Sequence, residues 1–70
     1  MDLDLRFETA FAASPDILAL LEESERLWDE GDYAEPHRLT LLAYDLWKAR
    51  YTFADGHSVY VYWKATRHGP

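Results

Sequence analysis

Apolar and charged residues alternate strictly near the start of the chain. Leu3, Leu5 and Phe7 would share one face of an extended segment, and charged residues would occupy the other. Alternation with a period of two is typical of a half-buried β-strand. The pattern therefore predicts a first strand over residues 2–8, followed by a connector of small residues over 10–13.

The next segment has the period of an amphipathic α-helix. Ser14 and Pro15 are typical of a helix start, where Ser14 would cap the unpaired amides, and Gly31 is typical of a helix end. The predicted apolar stripe consists of Ile17, Leu20, Leu21, Ser24, Leu27 and Trp28. The opposite face carries Glu22, Glu23, Arg26, Asp29 and Glu30. These acids predict an acidic outer surface, with Glu22, Glu23, Asp29 and Glu30 as its main residues.

A second helix is predicted to begin at Pro36, because a proline further inside would remove a backbone hydrogen bond. Its apolar stripe consists of Leu39, Leu42, Ala43, Leu46 and Trp47. Leu41 and Tyr44 lie off that stripe. A helix that is apolar over so much of its circumference is deeply buried or has a second partner. Leu41 and Tyr44 are therefore predicted partner contacts, for example with a second copy of the chain.

Residues 50–64 have the pattern of a β-hairpin. A three-residue loop at Ala54, Asp55 and Gly56, with Gly56 in a left-handed bulge, separates apolar from polar positions. One strand face would then hold Tyr51, Phe53, Val59, Val61 and Trp63. The other would hold Arg50, Thr52, Ser58, Tyr60, Tyr62 and Lys64. This outer face is a predicted partner-binding surface, because tyrosine and arginine are favoured at protein interfaces.

The predicted order of elements is strand, helix, helix, strand, strand. It corresponds to an α+β fold (β-α-α-β-β), a small antiparallel sheet with a helical hairpin packed on one face. Seventy residues allow one domain, predicted over 1–67, with 68–70 as a frayed tail.

Charge is distributed unevenly along the chain. The net charge is −6, and residues 1–35 contain eleven acids against two basic residues. Direct nucleic-acid binding is not expected, because it needs clustered lysine and arginine. The chain has no cysteine, which fits a reducing compartment, and no apolar run of membrane-spanning length. A cytoplasmic location is expected.

Candidate chemistry is sparse. His37, His57 and His68 show no metal-ligand spacing, and the acids of the first predicted helix lack the loop pattern of a calcium site. No cofactor, metal or catalytic residue is predicted, and an enzyme is not expected.

Two family resemblances accompany this interpretation. The strand-helix-helix-strand-strand order resembles the start of the RelE/ParE class of toxins, which implies a metal-independent RNase. Arginine, lysine, tyrosine and histidine are the residue types that cleave RNA without a metal, and the residues of these types that could gather on the polar hairpin face are Arg50, Tyr60, Tyr62, Lys64, Arg67 and His68. Gly31, Asp32 and Tyr33, together with Ala43, resemble the junction and second helix of a tetratricopeptide repeat, which implies a helical hairpin.

The function expected from the residues is protein binding. A small acidic module of this kind would regulate or inhibit a partner protein, as phage and plasmid proteins of similar size and charge do. In a sharper version, the acidic helix would imitate the phosphates of a nucleic acid. The alternative is the small RNase of RelE/ParE type.

Overall fold

The computed structural model describes residues 3–67. Within that range the chain forms four α-helices and no strand: α1 Leu3–Ala12, α2 Pro15–Asp29, α3 Ala34–Arg50 and α4 Gly56–Arg67. The predicted tail at 68–70 lies outside the described residues. None of the described helices is both long and apolar enough to cross a bilayer.

The predicted α+β fold is therefore wrong, because the sheet does not exist in the described residues. The segment predicted as the first strand belongs to α1, where Phe7, Ala10 and Phe11 are buried at helical spacing. Leu5, which a strand would bury beside Phe7, is exposed. Of the connector predicted over residues 10–13, Ala10 to Ala12 belong to α1, and Ala13 lies in the turn between α1 and α2.

The predicted hairpin is also wrong. Arg50 ends α3, residues 51–55 form the connection between α3 and α4, and residues 56–64 belong to α4. Val59 and Trp63 are buried one helical turn apart, whereas Val61 between them is 52% exposed. A strand would have buried all three on one face.

The helix predicted from Pro15 is confirmed as α2. Ser14 does not cap it, because its hydroxyl makes no hydrogen bond to the helix amides and instead lies 2.7 Å from the Tyr51 hydroxyl. Gly31 ends the helix in the left-handed region, with φ +87°. The amide of Gly31 donates to the Trp28 carbonyl and that of Asp32 to the Leu27 carbonyl, which is the Schellman arrangement.

Helices α2 and α3 form a hairpin and make the most extensive contact of the fold. Helix α3 begins at Ala34, two residues before the predicted Pro36, which is tolerated there because first-turn amides have no partner within the helix. Buried Ser24 on α2 donates to the Pro36 carbonyl at 3.0 Å and lies 2.9 Å from the Thr40 hydroxyl. These polar contacts fix the register of the two helices.

Aromatic rings from α1, α3 and the segment after α3 form the centre of the core. Trp47 is fully buried, with ring centroids 5.9 Å from Phe7 and 5.8 Å from Phe11. Its indole donates to the Ala54 carbonyl at 2.9 Å, which holds the connection to α4 against α3. The buried apolar residues are Phe7, Ala10, Phe11, Ile17, Leu21, Leu39, Ala43, Trp47, Val59 and Trp63.

Asp55 and Gly56 start α4 and do not form a hairpin turn. The Asp55 carboxylate accepts from the Ser58 amide at 2.7 Å, so Asp55 acts as the N-cap. This hydrogen bond lowers the pKa of Asp55. Gly56 was expected in a left-handed bulge, but its φ is not positive. It is required because the backbone there approaches Tyr44 on α3.

Candidate functional site

The structure separates the two tyrosines of the predicted outer sheet face. On a helix, Tyr60 and Tyr62 point about 200° apart. Tyr62 stacks on Phe7 with centroids 4.3 Å apart, and its hydroxyl reaches Glu8 on α1. Tyr60 lies on the other side of α4, near Lys64. A common tyrosine face needed a strand, and that part of the prediction is wrong.

The basic residues of the same predicted face are held in ion pairs between helices. Arg50 makes two hydrogen bonds to the Asp16 carboxylate, at 2.8 and 2.6 Å, and joins the end of α3 to the start of α2. The Arg50 guanidinium lowers the pKa of Asp16 to about 2. Lys64 pairs with Glu25 and joins α4 to α2. Arg50 and Lys64 therefore hold helices together at different places.

The predicted contacts on α3 differ in accessibility. Leu41 is 48% exposed. Tyr44 is half-buried against the start of α4, and burial raises the pKa of its hydroxyl. Of this pair, Leu41 offers the more open surface.

The predicted acidic surface is partly neutralised. Arg26 binds both Glu23 and Glu30, so these three charges form one ion-pair group near the end of α2. The Arg26 guanidinium lowers the pKa of Glu23. Glu22 is exposed and makes no ion pair among the described residues, and Asp29 lines a cleft with residues of α4.

This cleft brings together residues from α2, α4 and the α2–α3 turn. We call it the aromatic–acidic cleft. It has a volume of about 480 Å³ and is lined by Glu25, Trp28, Asp29, Tyr33, Tyr60 and Lys64. Three of these residues (Tyr60, Lys64 and Asp29) were predicted at two separate surfaces, and the helical fold places them in one.

The turn after α2 positions the exposed aromatic pair of the cleft. The left-handed Gly31 reverses the chain, and Tyr33 then lies against Trp28 with ring centroids 4.7 Å apart. Trp28 is 44% exposed and Tyr33 is 61% exposed. The two rings thus present a large apolar area to solvent beside the carboxylates of Glu25 and Asp29.

One cation already lies inside the cleft. Nζ of Lys64 is 2.5 Å from Oε1 of Glu25 and 6.0 Å from the centroid of the Tyr60 ring. The hydrogen bond to Glu25 raises the pKa of Lys64. The cleft therefore provides both a carboxylate and an aromatic face to a positive charge.

Trp28 and Tyr33 were not predicted as surface residues. Trp28 was placed in the apolar stripe of α2, and Tyr33 entered only through the repeat resemblance. A signal existed, because Trp28 falls in the last turn before Gly31, between Leu27 and the acids Asp29 and Glu30. A predicted Schellman turn at Gly31 would have directed the following residues back toward Trp28.

A second open surface lies between α1 and α4. Leu3 and Val61 are exposed there and line a groove of about 570 Å³ together with Phe53 and His57. Most of the side chains that line this groove are apolar, so it offers few polar groups that would select a particular ligand.

The described residues contain no group of three histidine, cysteine or acidic side chains able to hold a metal ion. Searches against protein-family models, curated proteins and solved structures gave no match to this chain.

Proposed function

We propose that this protein is a small binding module that contacts a partner protein through the aromatic–acidic cleft and thereby regulates or inhibits that partner. The observation that carries the proposal is the exposure of Trp28 and Tyr33 side by side. The module would act in the cytoplasm, since a chain without cysteine fits a reducing compartment.

An exposed tryptophan–tyrosine pair is well suited to protein contact. These two residue types dominate the binding energy of protein interfaces, because each has a large rigid surface with a polar tip. The pair is also held in place before binding, since the turn at Gly31 fixes Tyr33 against Trp28. Little side-chain entropy is then lost on binding.

The charges support a protein partner over a nucleic acid. Among the described side chains, Arg26, Arg38, Lys48, Arg50 and Lys64 each pair with a carboxylate of this chain. Arg6 lies over the ring of Phe53. A phosphate backbone needs clustered basic side chains that are available to it, and this arrangement offers few.

The RNase alternative receives no support from the geometry. Its resemblance to RelE/ParE toxins depended on a strand order that the fold does not have. Arg50 and Lys64 form separate ion pairs, and Tyr60 and Tyr62 point to different sides of α4. We also do not propose that the acidic surface of α2 imitates the phosphates of a nucleic acid, because Arg26 pairs with two of its carboxylates.

Self-association is a separate proposal, which rests on Leu41. Replacing this exposed residue by arginine leaves the buried core untouched and would disrupt an apolar contact between two copies. Sedimentation velocity of the Leu41→Arg variant and the parent chain tests it. An identical sedimentation profile for the two proteins would contradict self-association through Leu41.

Affinity capture from the native cell extract tests the proposed function when it includes matched variants. The bait proteins are the parent chain, the Trp28→Ala/Tyr33→Ala variant and the Leu42→Ala variant, which removes exposed apolar area on α3, outside the cleft. We expect a partner retained by the parent and by the α3 variant but lost with the cleft variant. Retention by all three, with the folding of each confirmed by circular dichroism, would contradict the proposal.

A further inference from the structure

The geometry points to an arginine side chain of the partner as the group that the aromatic–acidic cleft binds. Its guanidinium would stack on Trp28 and pair with Glu25 and Asp29. This inference rests on the proposed function and adds the chemistry of the contact. It follows from the charge of the cleft, from the cation already held there and from the exposed aromatic face.

The charge of the cleft favours a cationic group. Two carboxylates, Glu25 and Asp29, line it together with one ammonium group, Lys64. One negative charge is therefore left in excess. Asp29 makes no ion pair within the described residues, so its carboxylate is available to a group that enters from solvent.

Lys64 shows how a cation is held in this place. Its ammonium group contacts Glu25 and lies over the Tyr60 ring. An incoming cation would use the same two kinds of interaction, a salt bridge to a carboxylate and a contact with an aromatic face. Lys64 is thus an internal competitor for Glu25, and binding of an external cation would release part of that contact.

Arginine fits the cleft better than lysine does. Its planar guanidinium is weakly hydrated, stacks on aromatic faces and can contact two carboxylate oxygens at once. Trp28 is the aromatic side chain that attracts cations most strongly, and nearly half of its surface is open. The cleft is also open to solvent, so a side chain presented by a larger partner can enter it.

Peptide binding measured by calorimetry tests the inference. The probe is a capped Gly-Gly-Arg-Gly-Gly peptide, and its matched control carries citrulline, which has the same shape without the charge. We expect the affinity for the arginine peptide to be at least about tenfold higher than that for the citrulline peptide. A lysine peptide should fall between them. Equal affinity for the arginine and citrulline peptides would overturn the inference.

Variants of Lys64 provide a readout that a purely structural role would not give. Lys64→Met keeps the apolar stem and removes the competing charge, so the arginine peptide should bind about threefold more tightly. Lys64→Arg keeps a competing cation in the cleft and should not tighten binding of the peptide. Weaker binding by Lys64→Met than by the parent would overturn the inference. If Lys64→Met did not fold, the arginine–citrulline comparison on the parent chain would still decide.

Removing parts of the cleft should reduce binding. Trp28→Ala and Glu25→Gln are each expected to weaken the arginine peptide severalfold, whereas Leu42→Ala on α3 should have no effect. Failure of the inference can be distinguished from failure of the proposed function. If partner capture depends on Trp28 and Tyr33 but citrulline binds as well as arginine, only the inference fails. If arginine binds selectively but the partner is captured equally well by the Trp28→Ala/Tyr33→Ala variant, the proposed function fails.

Discussion

Gly56 at the start of α4 lies directly against the ring of Tyr44 on α3. A Cβ atom at Gly56 would be 2.5 Å from Cγ of Tyr44 and 2.7 Å from its Cβ. These distances are far shorter than any van der Waals contact, and the Cβ of Tyr44 is fixed by the backbone of α3, so no rotation of the side chain removes the clash with it. The contact sets how closely α4 packs on α3.

Gly56→Ala should therefore destabilise the fold by about 1–3 kcal/mol, as overpacking of a close contact does. Without the contact, alanine would be the better helix residue and would stabilise α4. Thermal unfolding followed by circular dichroism measures the change. A Tyr44→Ala background removes the contacts with the ring but keeps the Cβ of residue 44, so the same substitution should cost less there and should still destabilise the fold. A Gly56→Ala variant as stable as the parent would contradict the contact.

Val59 and Val61 distinguish the helix from the predicted strand. In α4, Val59 is 0% exposed and Val61 is 52% exposed. Val59→Ala should cost about 1.5–3 kcal/mol through lost burial and the cavity left behind. Val61→Ala should stay within about 0.5 kcal/mol of the parent. Chemical denaturation of both variants gives the comparison, and equal losses would favour a strand.

The helical elements differ in how far the sequence could predict them. For α2 the signals were redundant, since its period, its proline and its glycine all agreed with one helix. For α4 the signals were ambiguous. Val59 and Trp63 are four residues apart, which is one helical turn and also an even number of strand positions. The spacing of the buried pair therefore fitted either structure. Val61 completed an alternating apolar pattern, and this pattern wrongly indicated a strand.

The same ambiguity affected α1. Leu3 and Phe7 are also four residues apart, and Leu5 between them completed an apparent strand pattern. Ala10 and Phe11 continue the helical spacing from Phe7, and their burial shows which period applies. The predicted binding face was wrong for a related reason, because it depended on the hairpin. A hairpin placed Tyr60 and Tyr62 together, whereas a helix places Tyr60 beside Trp28 and Tyr33.

The Asp16–Arg50 ion pair should contribute a pH-dependent part of the stability. Arg50 lowers the pKa of Asp16 from its ordinary value of 3.8 to about 2. A carboxyl whose pKa is lower in the folded state stabilises the fold above its unfolded pKa, and loses that effect as pH falls through the folded value. The contribution should be complete above about pH 4 and nearly absent at about pH 2.

Asp16→Asn is the matched variant for this prediction. The melting temperature of the parent should exceed that of Asp16→Asn at pH 7, and the gap should close between about pH 4 and pH 2. Other acids titrate in both proteins, so the difference between them isolates Asp16. A gap that stays constant down to pH 2 would show that the ion pair does not perturb Asp16.

The location of arginine binding can be read directly from the three tryptophans. Trp28 is exposed in the cleft, whereas Trp47 and Trp63 are fully buried in the core. In a ¹H–¹⁵N correlation spectrum, titration with the arginine peptide should shift the indole signal of Trp28 and leave the signals of Trp47 and Trp63 in place. An unmoved Trp28 signal, or equal shifts at all three indoles, would contradict the proposed cleft.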